Sequence, residues 1–217
     1  MKISVLGAGA VGSMIGGLIK YYEPSAQVVL VARGAHGESL VERQAVNLLG
    51  TWGMFPIPVQ ATFSSSDIAN SDVVMVAVKS QDTWQAMTEA APYLDDALVL
   101  SLQNGINDDA LEEFVARENL VFGVTGCNMS VVRPGTINLD RTGLTVVGPT
   151  RDGINQPASR QIRNLLRVTG LRVVEHPNVQ GVRYSKLVAN AVGMSKCLAG
   201  TCFESGQASH QRWRDSI

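Results

Sequence analysis

Residues 2–12 read KISVLGAGAVG, a short run of strand-forming residues, then a glycine turn, then the start of a helix. Gly7, Ala8, Gly9, Ala10, Val11 and Gly12 spell GxGxxG. A strand before that pattern and a helix after it make it a dinucleotide-binding signature. Gly7 permits the tight turn, Gly9 lets the backbone approach a pyrophosphate, and Gly12 allows close packing of helix on strand. The helix expected over 10–22 presents unpaired N–H groups and a positive dipole end to phosphate. An ordinary glycine-rich turn is the bland alternative, and a flavin nucleotide could use the same turn.

Working outward, short β-branched runs alternate with amphipathic stretches. Strands are expected at 27–32, 72–78, 97–102 and 120–124, with helices at 82–92 and 107–117, the second capped by Asn107 or Asp108. Residues 72–78 (DVVMVAV) are apolar almost throughout, as in a strand covered on both faces. The pattern predicts an α/β fold, a Rossmann-type doubly wound parallel sheet. From about residue 128 the texture changes. Pro134-Gly135 marks a turn between two strand-like runs, and Leu144–Val147 is a third, together read as an antiparallel addition closing the sheet. Helical spacing at 158–168, a strand at 171–174 and a long helical pattern at 178–199 with no strand after it complete the chain. That switch divides it into a nucleotide-binding domain, 1–174, and the first helix or helices of an all-helical second domain, 175–217. No internal repeat is visible, and the tail after Gly206 is polar.

Bulk properties narrow the partners. The chain has 217 residues, 45% of them hydrophobic, and a formal net charge of −1. A near-neutral balance argues against nucleic acid or an anionic membrane as the main partner. No stretch reaches the length of a membrane span, and the start is too short an apolar run for a signal peptide. Cys127, Cys197 and Cys202 show neither CxxC nor Cys/His spacing. No metal site is expected, and a reduced cytoplasmic compartment suits the thiols.

The end of the second strand addresses the cofactor. NAD-selecting sites usually place a carboxylate there for the ribose 2′-OH, whereas residues 30–34 (LVARG) carry Arg33 instead. A guanidinium suits a 2′-phosphate, which points to NADP(H). Lys79, at the end of strand 72–78, lies on the same carboxyl edge and could reach phosphate or ribose. His36 reads as a solvated loop residue. Gln103-Asn104-Gly105 follows strand 97–102 on that edge; an asparagine there can contact a carbonyl, and Asn-Gly is equally a common turn. Lys186 and Asn190, four residues apart, share one helix face among Leu187, Val188 and Ala189. Such surroundings can lower a lysine's pKa toward that of a general acid, and they equally accommodate a snorkelling structural lysine.

Taken together, residues 2–12, VARGAH at 31–36, Val78-Lys79, LQNG at 102–105 and YSKLVAN at 184–190 resemble the ketopantoate reductase (2-dehydropantoate 2-reductase) family. The resemblance implies NADPH-dependent reduction of a small-molecule 2-oxo acid to a 2-hydroxy acid, ketopantoate to pantoate in the family's best-known case, within pantothenate synthesis. It implies Lys186 as the catalytic proton donor, Asn104 between cofactor and substrate, Asn190 as substrate-binding, and Arg33 and Lys79 on the adenosine-phosphate side. Two departures stand out. Met194 occupies a position where the family often has asparagine, which would favour an acid with a more apolar tail. The sequence also stops at Ile217, where family members continue with helices carrying a substrate-holding glutamate and serine. That leaves a non-catalytic NADP-binding module, or a dehydrogenase for another 2-oxo acid, as the alternatives. An apolar face on helix 178–199 would need a partner, and a homo-oligomer formed through that helix would provide one.

Overall fold

The first strand, β1 (Lys2–Leu6), shows why the sheet forms where it does: Val5 and Leu6 are both buried, yet they enter different apolar cores. Met75 and its neighbours Val74 and Val76 divide in the same way. Consecutive strand residues point to opposite faces, so a strand apolar at every position must be covered on both. The structure, a computed structural model, describes residues 1–50, 53–150, 153 and 155–198. After β1 come α1 (Ala10–Tyr22), β2 (Gln27–Val31), α2 (Gly34–Arg43), β3 (Ala45–Gly50), β4 (Gly53–Pro58), β5 (Gln60–Thr62), β6 (Val73–Val76) and α3 (Thr83–Ala90). These are followed by β7 (Leu98–Ser101), α4 (Asp108–Glu112), β8 (Leu120–Thr125), β9 (Asn128–Arg133), β10 (Thr136–Arg141) and β11 (Leu144–Gly148). Last come α5 (Gln156–Arg167), β12 (Arg172–Glu175) and α6 (Val179–Leu198).

The main sheet runs β12-β11-β8-β7-β6-β1-β2-β5. Only β11 against β8 is antiparallel among its pairings. Strand order reverses between β1 and β6, which opens a crevice at the carboxyl ends of those strands, where doubly wound sheets bind ligands. The expected Rossmann-type architecture is therefore present, and α1 matches its expected span.

Three features differ from the sequence reading. The antiparallel addition splits: β11 does close the main sheet, but the hairpin β9–β10, turning at Pro134-Gly135, joins a separate four-stranded sheet in the order β4-β3-β10-β9. That sheet packs over α1, with Tyr21 stacked on Phe55 at 5.3 Å and Val46, Leu48 and Ile137 fully buried. The helix expected over 107–117 contracts to Asp108–Glu112, because Phe114 and Val115 both donate to the Leu111 carbonyl and the chain tightens into a turn. Asn107 precedes that helix without capping it; its amide donates instead to Ser80 Oγ and the Asn104 carbonyl.

Among the described residues no helix is long and apolar enough to cross a membrane. Cys127 is a free thiol. Cys202, residues 199–217 and the side chains of Met194 and Cys197 lie outside the described residues.

Candidate active site

Each glycine of the turn has a measurable reason. Gly7 adopts φ +93°, and a Cβ there would lie 2.5 Å from the Val78 nitrogen. At Gly12 a Cβ would stand 2.7 Å from both the Gly7 carbonyl and Val5 Cγ1, so only glycine lets α1 sit this close to β1. A Cβ at Gly9 would meet nothing within 4 Å, which leaves the backbone open to a ligand. Gly7 and Ala8 donate to the Val31 carbonyl (3.1 and 2.9 Å), fastening the turn to the end of β2. Ser13 N bonds back to the Gly9 carbonyl at 2.9 Å. The amides of Ala10, Val11 and Gly12 therefore precede the helical ladder and are free for an anion.

His36 braces this turn and is not a solvated loop residue as its sequence position had indicated. It lies in the first turn of α2, half-buried. Gly135 N donates to its Nδ1 at 3.0 Å, and its Nε2 lies 3.2 Å from Ser13 Oγ. Ser13 Oγ in turn donates to the Ala8 carbonyl at 2.9 Å. Because Nδ1 accepts from the Gly135 N–H, the ring's proton sits on Nε2, and burial, which pushes the His36 pKa down, favours this neutral form.

Beside the turn lies a cavity of about 400 Å³, lined by Gly7, Ala8, Gly9, Arg33, His36 and Lys79 among others. Arg33 stands at the end of β2 and Lys79 just past β6, both exposed. The Arg33 guanidinium is paired with Glu89 of α3, and that hydrogen bond holds the Glu89 carboxyl below the usual carboxylate range. Sequence reasoning missed Glu89, since nothing in the periodicity of α3 tells which side chain will reach β2. A 2′-phosphate at Arg33 would have to displace an exposed carboxylate, which is a weak competitor.

A second cavity, of about 520 Å³, brings together Val11, Asn104, Lys186 and Asn190 with Thr125 and Cys127. Val11 thus faces this cavity and not the first, while Ala10 and Gly12 line neither. Lys186 Nζ donates to the Thr125 carbonyl at 2.7 Å. Burial lowers the Lys186 pKa, with the nearby Cys127 sulfur acting in the opposite sense. The Asn104 side chain is exposed, and its carbonyl is held by Ser80 Oγ at 2.7 Å. Behind it, Arg183 donates to Asp108 Oδ1 (2.7 Å), Gln180 Oε1 (2.8 Å) and the Gly105 carbonyl (3.2 Å), and lies over the Phe122 ring at 4.3 Å. Asn190 is exposed on α6. The sequence reading missed Thr125, Cys127, Asn128 and Arg141, because it did not foresee that the β9–β10 hairpin would form one wall of this cavity.

Comparison with known proteins bears on this pairing of a cavity at the glycine turn with a lysine cavity. A sequence model described as ketopantoate reductase PanE/ApbA matches residues 3–152. The chain belongs to the ketopantoate reductase family. A 2-dehydropantoate 2-reductase of Pyrococcus horikoshii is 30% identical over 192 residues, covering 88% of this chain and 61% of that protein. The crystal structure of a PanE/ApbA family ketopantoate reductase from Ralstonia eutropha JMP134 is 30% identical with a TM-score of 0.77, over 88% of this chain and 61% of that one. A structure of D-mandelate dehydrogenase with NADH is 25% identical with a TM-score of 0.77, over 92% of this chain and 64% of that one. The chain thus spans about three-fifths of these ketopantoate reductases.

Proposed function

We propose that this chain reduces a 2-oxo acid to the 2-hydroxy acid with NADPH, ketopantoate to pantoate being the reaction its family name supports. The observation that carries the reading is the convergence of Lys186, Asn104 and Asn190 with Val11, a residue of the phosphate turn, around one cavity. The nucleotide fits the residues present, because the open backbone at Gly9 and the free amides of Ala10, Val11 and Gly12 form an anion cradle. Residues Gly7–Gly12 would hold the pyrophosphate, and Arg33 and Lys79 the adenosine-side phosphate. When bound, the reduced cofactor supplies the hydride. Lys186 gives its proton to the ketone oxygen and stabilises the charge that develops there. Asn104 and Asn190 orient the substrate by hydrogen bonds. Residues 1–174 form the nucleotide-binding part, and 175–217 begin the part that holds substrate.

D-mandelate dehydrogenase is named with NADH, so the phosphate preference rests on Arg33. Titration of NADPH and NADH against wild type and Arg33→Ala, followed by turnover with ketopantoate, tests the reading. Arg33→Ala should cost about tenfold in NADPH affinity and leave NADH affinity nearly unchanged. Equal losses for both would remove the phosphate role, and no NADPH oxidation with any 2-oxo acid would remove the reductase reading. Among the described residues nothing covers Asn190 and Leu187 on the cavity side of α6, and that exposure favours a second reading, nucleotide binding without turnover. Tight NADPH binding with no reaction would support it.

A further inference from the structure

We infer that Arg141, at the end of β10, is the carboxylate anchor of the lysine cavity, the group that takes the acid end of a 2-oxo acid while Lys186 addresses its ketone. The inference rests on the reductase reading and extends it to a residue outside the helix and loop that carry Lys186 and Asn104. Arg141 lines the same cavity as those two residues. Among the described residues, the cavity's charged lining consists of the two cations Lys186 and Arg141, the other polar side chains are Asn104, Asn128, Asn190, Thr125 and Cys127, and none is an aspartate or glutamate. A concave site with this balance concentrates anions.

Arg141 is also free to act. Among the described residues its side chain makes no hydrogen bond or ion pair; the same holds for Arg43, Arg160, Arg167 and Arg172 on the surface, but of these arginines Arg141 alone lines the lysine cavity. The nearest acid in sequence, Asp140, is occupied by Asn138, whose amide donates to it at 2.5 Å. The hairpin register explains how the side chain arrives. Leu139 pairs with Met129 and Arg141 with Asn128, so the ladder is irregular at Asp140 and the strand end is re-aimed. A planar guanidinium binds a carboxylate through two parallel hydrogen bonds and stays charged at every working pH. This leaves Lys186, whose ammonium is partly desolvated, free for proton transfer.

The test is calorimetric titration of the full chain, loaded with whichever oxidised nicotinamide nucleotide binds more tightly, using ketopantoate and its methyl ester as probes. Wild type should bind the acid at least about tenfold more tightly than the ester. Arg141→Ala should bind both alike, and Arg141→Lys should keep part of the preference. Because Arg141 is exposed, its variants should melt close to wild type. An Arg141→Ala protein that still prefers the acid overturns the assignment and leaves the reductase reading standing, as does a wild type that binds acid and ester equally. A wild type that binds neither probe overturns both.

Discussion

Lys186 is asked to do something that burial makes costly. Its ammonium is half-buried, and desolvation lowers its pKa below the ordinary lysine value, although the bond to the Thr125 carbonyl favours the charged form. With the folded pKa below the unfolded one, holding the charged form costs the folded state a penalty. That penalty is fully present below the folded pKa and fades as pH rises through the unfolded value. Lys186→Met should therefore lose about 10²- to 10⁴-fold in turnover while melting no lower than wild type near neutral pH. Melts repeated up to about pH 10.5, the unfolded lysine value, should show any gain of the variant shrinking. A variant that melts lower throughout would mean that the ammonium is a net stabiliser, and the argument for a tuned acid would fall. Helix spacing and strand-end position, both local properties, make Lys186 and Asn104 candidates in the sequence, while the roles given to them come from the family resemblance. Arg141 could not be singled out there, because its place depends on a hairpin docking far away in the chain.

At the scale of elements, β1, the glycine turn and α1 form one unit, and its two inner glycines fail in different ways when changed. A side chain at Gly12 collides with the Gly7 carbonyl and Val5 Cγ1. Gly12→Val must push α1 off β1, at a cost of about 1–3 kcal/mol, and should lose stability and nucleotide binding together. A methyl group at Gly9 meets no protein atom. Gly9→Ala should fold normally and lose nucleotide affinity, because the methyl fills the space the phosphates need. Urea denaturation alongside NADPH titration separates the two, and a Gly9→Ala protein with unchanged affinity would contradict the cradle. These elements were readable in the sequence because strand, turn and helix each carry their own local pattern. The second sheet was not. β3 pairs with β10 from far along the chain, Asn47 beside Thr136, and pairings over such separation leave no local periodicity.

Across the whole molecule, the lysine cavity depends on holding α6 against the loop that follows β7, and the buried Asp108–Arg183 pair does this. Their side chains are 7% and 2% exposed, and Arg183 reaches the Gly105 carbonyl, adjacent to Asn104. Arg183 lies one turn before Lys186 on α6, so the same contact sets the distance between Lys186 and Asn104. The pair is imperfectly satisfied, since Asp108 Oδ2 and Arg183 Nε are buried without partners. Such a pair adds little net stability compared with well-packed apolar side chains, but removing one partner strands the other's charge. Arg183→Met and Asp108→Leu should each cost about 3–5 kcal/mol in urea unfolding, and the double variant should cost clearly less than their sum. The double variant should nevertheless turn over more slowly than wild type, because the Gly105 carbonyl loses its donor and Asn104 its fixed place. Additive losses would show that the two residues stabilise independently. A double variant with full turnover would show that the staple holds the fold together without setting the geometry of the cavity.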